Sequence, residues 1–155
     1  MESDPVGLKG GINIFGYAHA NPTTTTDPLG LAAYNKWEIA LCALNPVRCY
    51  LARRCADEAK KAEGGSVNDR GDALRHCHWS CCMTKAVGIV LAKAYGDAHE
   101  EYPGNPNCER LMDLHNNGQG ISAALGSPSQ DCGSSCRSRP LVNKPFLPCG
   151  KCGVY

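Results

Sequence analysis

The sequence predicts a mainly α-helical fold: about five helices in one compact domain over residues 32–155, with a cysteine-rich irregular tail from residue 126. Three observations predict it. Between residues 35 and 117 apolar side chains recur at spacings of three and four rather than alternating. Asn-Pro pairs and glycines punctuate that stretch at intervals suited to ordinary helices. Beyond Gly126, Ser, Gly, Pro and Cys replace the helix formers.

Residues 35–44 (NKWEIALCAL) place Trp37, Ala40, Leu41 and Leu44 on one face. Asn45-Pro46 ends that helix and opens the next, proline being suited to a first helical turn. The second helix, 46–62, runs through Val47, Tyr50, Leu51, Cys55 and Ala59 to a basic end, closed by Gly64-Gly65. A third starts near Asn68 or Asp69, either of which can cap it, and runs to Gly88. A fourth covers roughly 89–101. Asn105-Pro106 opens a fifth, about 106–117, which ends at Gly118-Gln119-Gly120 before a short apolar stretch, ISAAL. The tail beyond Gly126 lacks the apolar surface to hold itself and needs crosslinks, a metal or docking on the helices.

Hydrophobic residues make up 43% of the 155 but aromatics only 6%, so the core must be built largely from Ala, Leu, Val, Ile and Cys. Eleven cysteines stand at 42, 49, 55, 77, 81, 82, 108, 132, 136, 149 and 152. In an oxidising compartment such a set is a disulfide framework. In a reducing one it supplies metal ligands, Cys132, Cys136, Cys149 and Cys152 being placed to hold zinc, or plain small core residues.

The net charge is +1, and after Leu31 there are 15 Lys and Arg against 12 Asp and Glu, about +3. A protein bound mainly through phosphates carries a stronger basic bias, so no stable nucleic-acid partner is expected. No stretch approaches the length of a membrane span. Met1-Glu2-Ser3-Asp4 is acidic where a secretory signal is basic, so export would depend on a carrier.

Chemically able residues gather between 72 and 117. The third helix carries Asp72, Arg75, His76, His78 and Trp79, with Asp72 and His76 four apart on one face. The fourth carries Asp97, His99 and Glu100; the fifth carries Asp113, His115, Asn116 and Asn117. Three Asp/His couples on successive helices are costly to bury without purpose. Two chemistries use such a set. Histidines and carboxylates, here His76, Asp97, His99 and His115, can hold a divalent metal, zinc or calcium, that activates water. Alternatively His76 or His115 takes a proton from water while Asp72, Asp97 or Asp113 orients the ring, and Arg75 neutralises a substrate anion. There is no Gly-x-Ser-x-Gly elbow, no His-Glu-x-x-His, no P-loop and no deaminase signature. A His-Asn-His nuclease needs a histidine after His115, and none follows.

Two resemblances bear on function. Asp4-Pro5-Val6-Gly7-Leu8, then GGINIFGYAHANP, then Asp27-Pro28-Leu29-Gly30-Leu31 resembles the end of the Rhs/YD-repeat core, over residues 4–31. It implies that residues 1–31 are the stub of a delivery shell, cleaved after Leu31, and that 32–155 is a polymorphic toxin. Such a toxin is a secreted effector of interbacterial competition, delivered by type VI secretion, and partnered by its parent shell and a cognate immunity protein. The segments DALRHCHWSCCMTKAVG, AKAYGDAHE and MDLHNN resemble an uncharacterised toxin-associated helical domain, over about 71–120. Carried over by position, its functional residues are Asp72, Arg75, His76, Asp97, His99, Glu100, Asp113, His115 and Asn116. The run DALRHCHWSCC also resembles the phospholipase A2 helix that sets a histidine between cysteines. Here Cys77 rather than Asp follows His76, and no glycine-rich calcium loop is present.

The expectation is a hydrolase acting on a cell-envelope target such as phospholipid, in the periplasm rather than the cytoplasm because disulfides persist there. The alternatives are a metal-dependent nuclease and a non-enzymatic membrane disruptor built on the apolar and cationic helices 35–62.

Overall fold

A computed structural model describes residues 36–66, 68–102 and 105–143. Six helices follow in order: α1 (Lys36–Leu44), α2 (Pro46–Ala62), α3 (Arg70–Val87), α4 (Ile89–Glu100), α5 (Asn107–Gly126) and α6 (Cys132–Arg137). No strand occurs among the described residues, and the chain is mainly α as its periodicity predicts. The delivery-shell motif of residues 1–31 and the Cys149/Cys152 pair lie outside the described residues.

α3 is the central helix, packing against α2, α4, α5 and α6. Eleven of its 18 residues are buried, as a helix contacted on several sides must show. Asp69 caps its start by accepting from the Asp72 amide. Gly88, at φ 88°, ends it in a conformation that favours glycine and turns the chain directly into α4.

Two apolar clusters form the core. Trp79, Met83 and Val87 of α3 meet Ala52, Cys55 and Ala59 of α2 and Ala92 and Tyr95 of α4. Trp79 donates its indole N–H to the Ala52 carbonyl at 3.1 Å. Cys77, Cys81, Ala123, Ala124, Cys132 and Cys136 form the other cluster, between α3, α5 and α6.

All nine cysteines among the described residues are disulfide-bonded. Cys42–Cys49 ties α1 to α2, and Cys55–Cys82 ties α2 to α3. Cys77–Cys136 and Cys81–Cys132 form a ladder in which i, i+4 pairs on α3 and α6 face each other. A core so poor in large side chains leans on crosslinks. The ladder also uses the thiols of Cys132 and Cys136, which removes them from the zinc site that the tail spacing allowed.

Three expectations are corrected. α5 runs through Gly118-Gln119-Gly120 to Gly126. Gly120 is a contact residue: a Cβ there would sit 2.2 Å from the Cys77 carbonyl oxygen, so it lets α5 approach α3 closely. The tail is not wholly irregular, because Asp131 caps α6 through the Ser134 amide at 2.8 Å. Finally, α1 turns Trp37 and Leu44 to solvent, and Val47 and Tyr50 of α2 are exposed while Cys49, Ala52, Cys55 and Ala59 face the core.

Candidate functional site

Three helices bring acids and imidazoles together around His76. On α3, Asp72 and His76 share a face by i, i+4 spacing. α4 contributes His99 and Glu100 from its last turn. On α5, Asp113, Asn116, Asn117 and Gly120 form an i, i+3, i+4, i+7 stripe that is buried although mostly polar.

His76 is 7% exposed and lies between two acids. Its Nδ1 is 3.8 Å from Glu100 Oε1, and its Nε2 is 3.5 Å from Asp113 Oδ1. Burial holds the His76 pKa below the usual histidine value, against the opposing pull of Glu100 and Asp72. Burial also raises Glu100. For Asp113, burial and the nearby Asp72 carboxylate push the pKa up to about 8. At neutral pH the His76–Asp113 contact is therefore a neutral imidazole facing a protonated acid rather than an ion pair.

His99 behaves differently. Burial disfavours its charge, but the Glu38 hydrogen bond and charge, with Glu100 and Asp113, hold its pKa up to about 9. Its Nδ1 lies 2.9 Å from Glu38 Oε1 on α1. The ring packs edge-on to Trp79 at 5.1 Å and lies 6.3 Å from His76. Asp72 is also neutralised: its Oδ1 accepts from Arg75 at 2.7 Å and its Oδ2 from the Asn68 amide at 2.7 Å.

His99 and Asp72 are thus each paired with an opposite charge, whereas His76, Glu100 and Asp113 have no dedicated cation among the described residues. Among the described residues His76 Nδ1, Glu100 Oε1, Asp113 Oδ1 and both amide atoms of Asn117 are buried without a hydrogen bond of good geometry, although Asn117 stands close enough to His76 to favour its protonated form. Each such atom costs about 1–3 kcal/mol, so their concentration in one place marks the cluster as chemically special.

The other expected site residues lie elsewhere. Asp97 is exposed and pairs with Lys93 one turn away. His115 is exposed, with Nε2 2.9 Å from the Pro140 carbonyl oxygen. Asn116 is fully buried but clamps the segment after α6, bonding both the amide and the carbonyl of Val142. Arg75 spends its donors on Gly64, Ser66 and Asp72. The metal set His76, Asp97, His99 and His115 is therefore not assembled. The group whose ligand atoms lie within 4.8 Å of one another is Asp72, His76 and Asp113.

Sequence reasoning left out Glu38, and it named Trp79 and Asn117 without giving either a role at the site. Asn117 was within reach, standing four residues after Asp113 on the same stripe. Glu38 gives no local signal, because it meets His99 across 61 positions.

A second buried couple lies on another face of α3. His78 Nδ1 is 3.1 Å from Glu63 Oε1, and Arg137 of α6 donates to Glu63 Oε2 at 2.9 Å. A depression of about 330 Å³ lined by Glu58, Cys82, Lys85, Ala86, Asp131 and Cys132 includes no residue of the His76 cluster.

These features define a disulfide-stapled helical domain with an acid–imidazole centre. Residues 39–139 match the family of a domain of unknown function, DUF6973, and the chain belongs to that family. No solved structure matches it.

Proposed function

We propose that this domain is a hydrolase in which His76 acts as general base and Asp113 as general acid, and that it is the toxic end of an Rhs-type effector acting on envelope phospholipid. The observation that carries the chemistry is the buried His76 between Glu100 and Asp113, with burial pushing the imidazole pKa down and the two carboxyl values up. Opposed shifts of this kind leave a base unprotonated and an acid protonated at the same pH.

Glu100, only 2% exposed in its side chain, faces Nδ1 at 3.8 Å and favours the protonated imidazole that forms when His76 takes a proton. Nε2 faces the more open Asp113 side and takes the proton of a water attacking the ester carbonyl. Asp113 gives its proton to the departing alkoxide oxygen. The proton on His76 then returns to Asp113 across their contact, restoring both groups.

The compartment is read from redox chemistry. Nine bonded cysteines suit the periplasm of a target cell, where disulfides persist. The resemblance of residues 4–31 to the end of an Rhs core supports delivery by a parent Rhs protein, and a cognate immunity protein is the expected inhibitor.

A metal-dependent nuclease is the second reading, favoured by the Asp72, His76 and Asp113 cluster. It has to share Asp72 with Arg75 and the Asn68 amide. One experiment separates the readings: oxidised protein is incubated with phospholipid vesicles or nucleic acid, with and without a chelator. Lipid hydrolysis that survives chelation and is lost in His76→Ala supports the hydrolase. Chelator-sensitive cleavage of nucleic acid replaces it with the nuclease. Killing that persists in His76→Ala removes both in favour of membrane disruption.

A further inference from the structure

We propose that the outward face of α1 and the start of α2 form a docking surface for an anionic lipid bilayer. The inference rests on the phospholipid reading of the site and names how the domain reaches its substrate.

α1 buries none of its residues. Its inward side carries Glu38, Leu41 and Cys42, all half-buried, while Lys36, Trp37, Ile39, Ala40, Ala43 and Leu44 are exposed. The amphipathic pattern is thus inverted: the helix turns its acid inward and its apolar side to solvent. Trp37, Ile39, Leu44, Val47 and Tyr50 are each more than half exposed. They are five of the nine exposed large hydrophobics among the described residues, gathered within 14 positions. Singly exposed apolar residues need no explanation, but five within 14 positions do.

Charge selects the occupant. Lys36 lies 5.2 Å from the centre of the Trp37 ring. Arg48, Arg53 and Arg54 are exposed on α2, Arg48 also donating to the Val87 carbonyl at 3.1 Å, and the acids Asp57 and Glu58 follow one turn beyond. The only acid between residues 36 and 54 is Glu38, which is turned in to His99. Aliphatic side chains, a Trp and a Tyr among cations match the headgroup level of an anionic bilayer. A second copy of the same surface would instead set cation against cation. The same helix also touches the candidate centre, because Glu38 on its inward side bonds His99 beside His76.

The test uses the full oxidised chain carrying His76→Ala, so that the lipid stays intact. Vesicles of phosphatidylglycerol and phosphatidylcholine are compared with phosphatidylcholine alone, by flotation and by tryptophan emission. Expected are binding to the anionic vesicles, weakening with salt, and a blue shift from Trp37. Trp37→Ser and Leu44→Ser should each weaken binding about tenfold or more. Because α1 buries no residue, far-UV circular dichroism should be unchanged in these variants; Arg54→Glu gives a second route to the same loss without touching apolar surface. Absence of binding to anionic vesicles overturns the proposal. So does binding indifferent to all three substitutions, or a dimer that forms through this face while vesicles stay free. Cleavage of a soluble short-chain ester by the unsubstituted protein reports on the hydrolase reading separately: vesicle binding without any ester cleavage leaves the docking surface standing and removes the chemistry. Cleavage without vesicle binding does the reverse.

Discussion

His76 and His78 stand two positions apart on α3, both nearly fully buried, yet their surroundings differ in kind. His78 meets Glu63, and Glu63 also accepts from Arg137, so a cation completes that group and ties α6 to the end of α2. Among the described residues His76 meets Glu100 and Asp113 with no dedicated cation, and four further polar atoms beside it lack a hydrogen bond, whereas at the other histidine His78 Nε2 is the atom that lacks one. A buried acid with its counter-charge is architecture. Buried acids whose pKa values burial raises, as at Glu100 and Asp113, are candidates for proton transfer. Two residues on one helix thus separate a structural histidine from a candidate catalytic one.

The largest expected effect is on activity. His76→Ala should lower lipid hydrolysis by about 10²–10⁴-fold with little loss of stability, whereas His78→Ala should retain activity. Equal losses in both, measured on folded protein, would erase the contrast. Next comes the ladder beside these histidines. Replacing Cys81 and Cys132 together by serine should cost about 2–3 kcal/mol, since Cys77–Cys136 still closes the long loop and the second rung adds only a short one of roughly eight residues. Denaturant melts measure this cost, and thiol titration of the unsubstituted protein in denaturant should find no more than one free thiol of eleven, because nine bonded cysteines require a tenth as partner.

Glu63→Gln should destabilise by about 2–3 kcal/mol, because it weakens the partners of buried His78 and of Arg137 at once, while hydrolysis survives. Urea melts beside an activity assay test both halves.

The pH dependence should follow the His76 side. Asp113 keeps a proton up to about 8 that the unfolded chain releases near 3.8, so it costs increasing stability as pH rises between those values. His99 stabilises fully below 6.5, and that stability is lost as pH rises through about 9. Both act in one direction from pH 6.5 to 8, where stability should fall with rising pH. His76, its pKa lowered by burial, acts oppositely and costs stability as pH falls below 6.5. Asp113→Asn should flatten the upper slope by about 1 kcal/mol per pH unit, read from urea midpoints between pH 6 and 8. An unchanged slope would mean that Asp113 is ionised in the fold. The smallest effect belongs to Asp97→Asn: an exposed i, i+4 pair with Lys93 contributes no more than about 0.5 kcal/mol, and hydrolysis should be unaffected.

Helix positions were largely legible, because caps and stops are local. Asp69 caps α3, Gly88 ends it, and Pro46 opens α2. Gly120 was misleading for a physical reason: a glycine that breaks a helix and one that lets two helices touch are identical in a sequence. The α1 face misled in the same way, since an apolar stripe has the same spacing whether it seeks a core or stays outside.

By itself the chain determined its helical class, most helix boundaries, the wealth of cysteine and the stretch from 72 to 117 that holds the acids and imidazoles. Those follow from interactions within a few residues. The tertiary structure alone decided which acid faces which histidine. It joined Glu38 to His99 and Asp113 to His76, sent Asp97 and His115 to solvent, and paired Cys77 and Cys81 with Cys136 and Cys132. Such partnerships depend on how whole helices pack, and a buried charge acquires its meaning only from the groups that packing sets beside it.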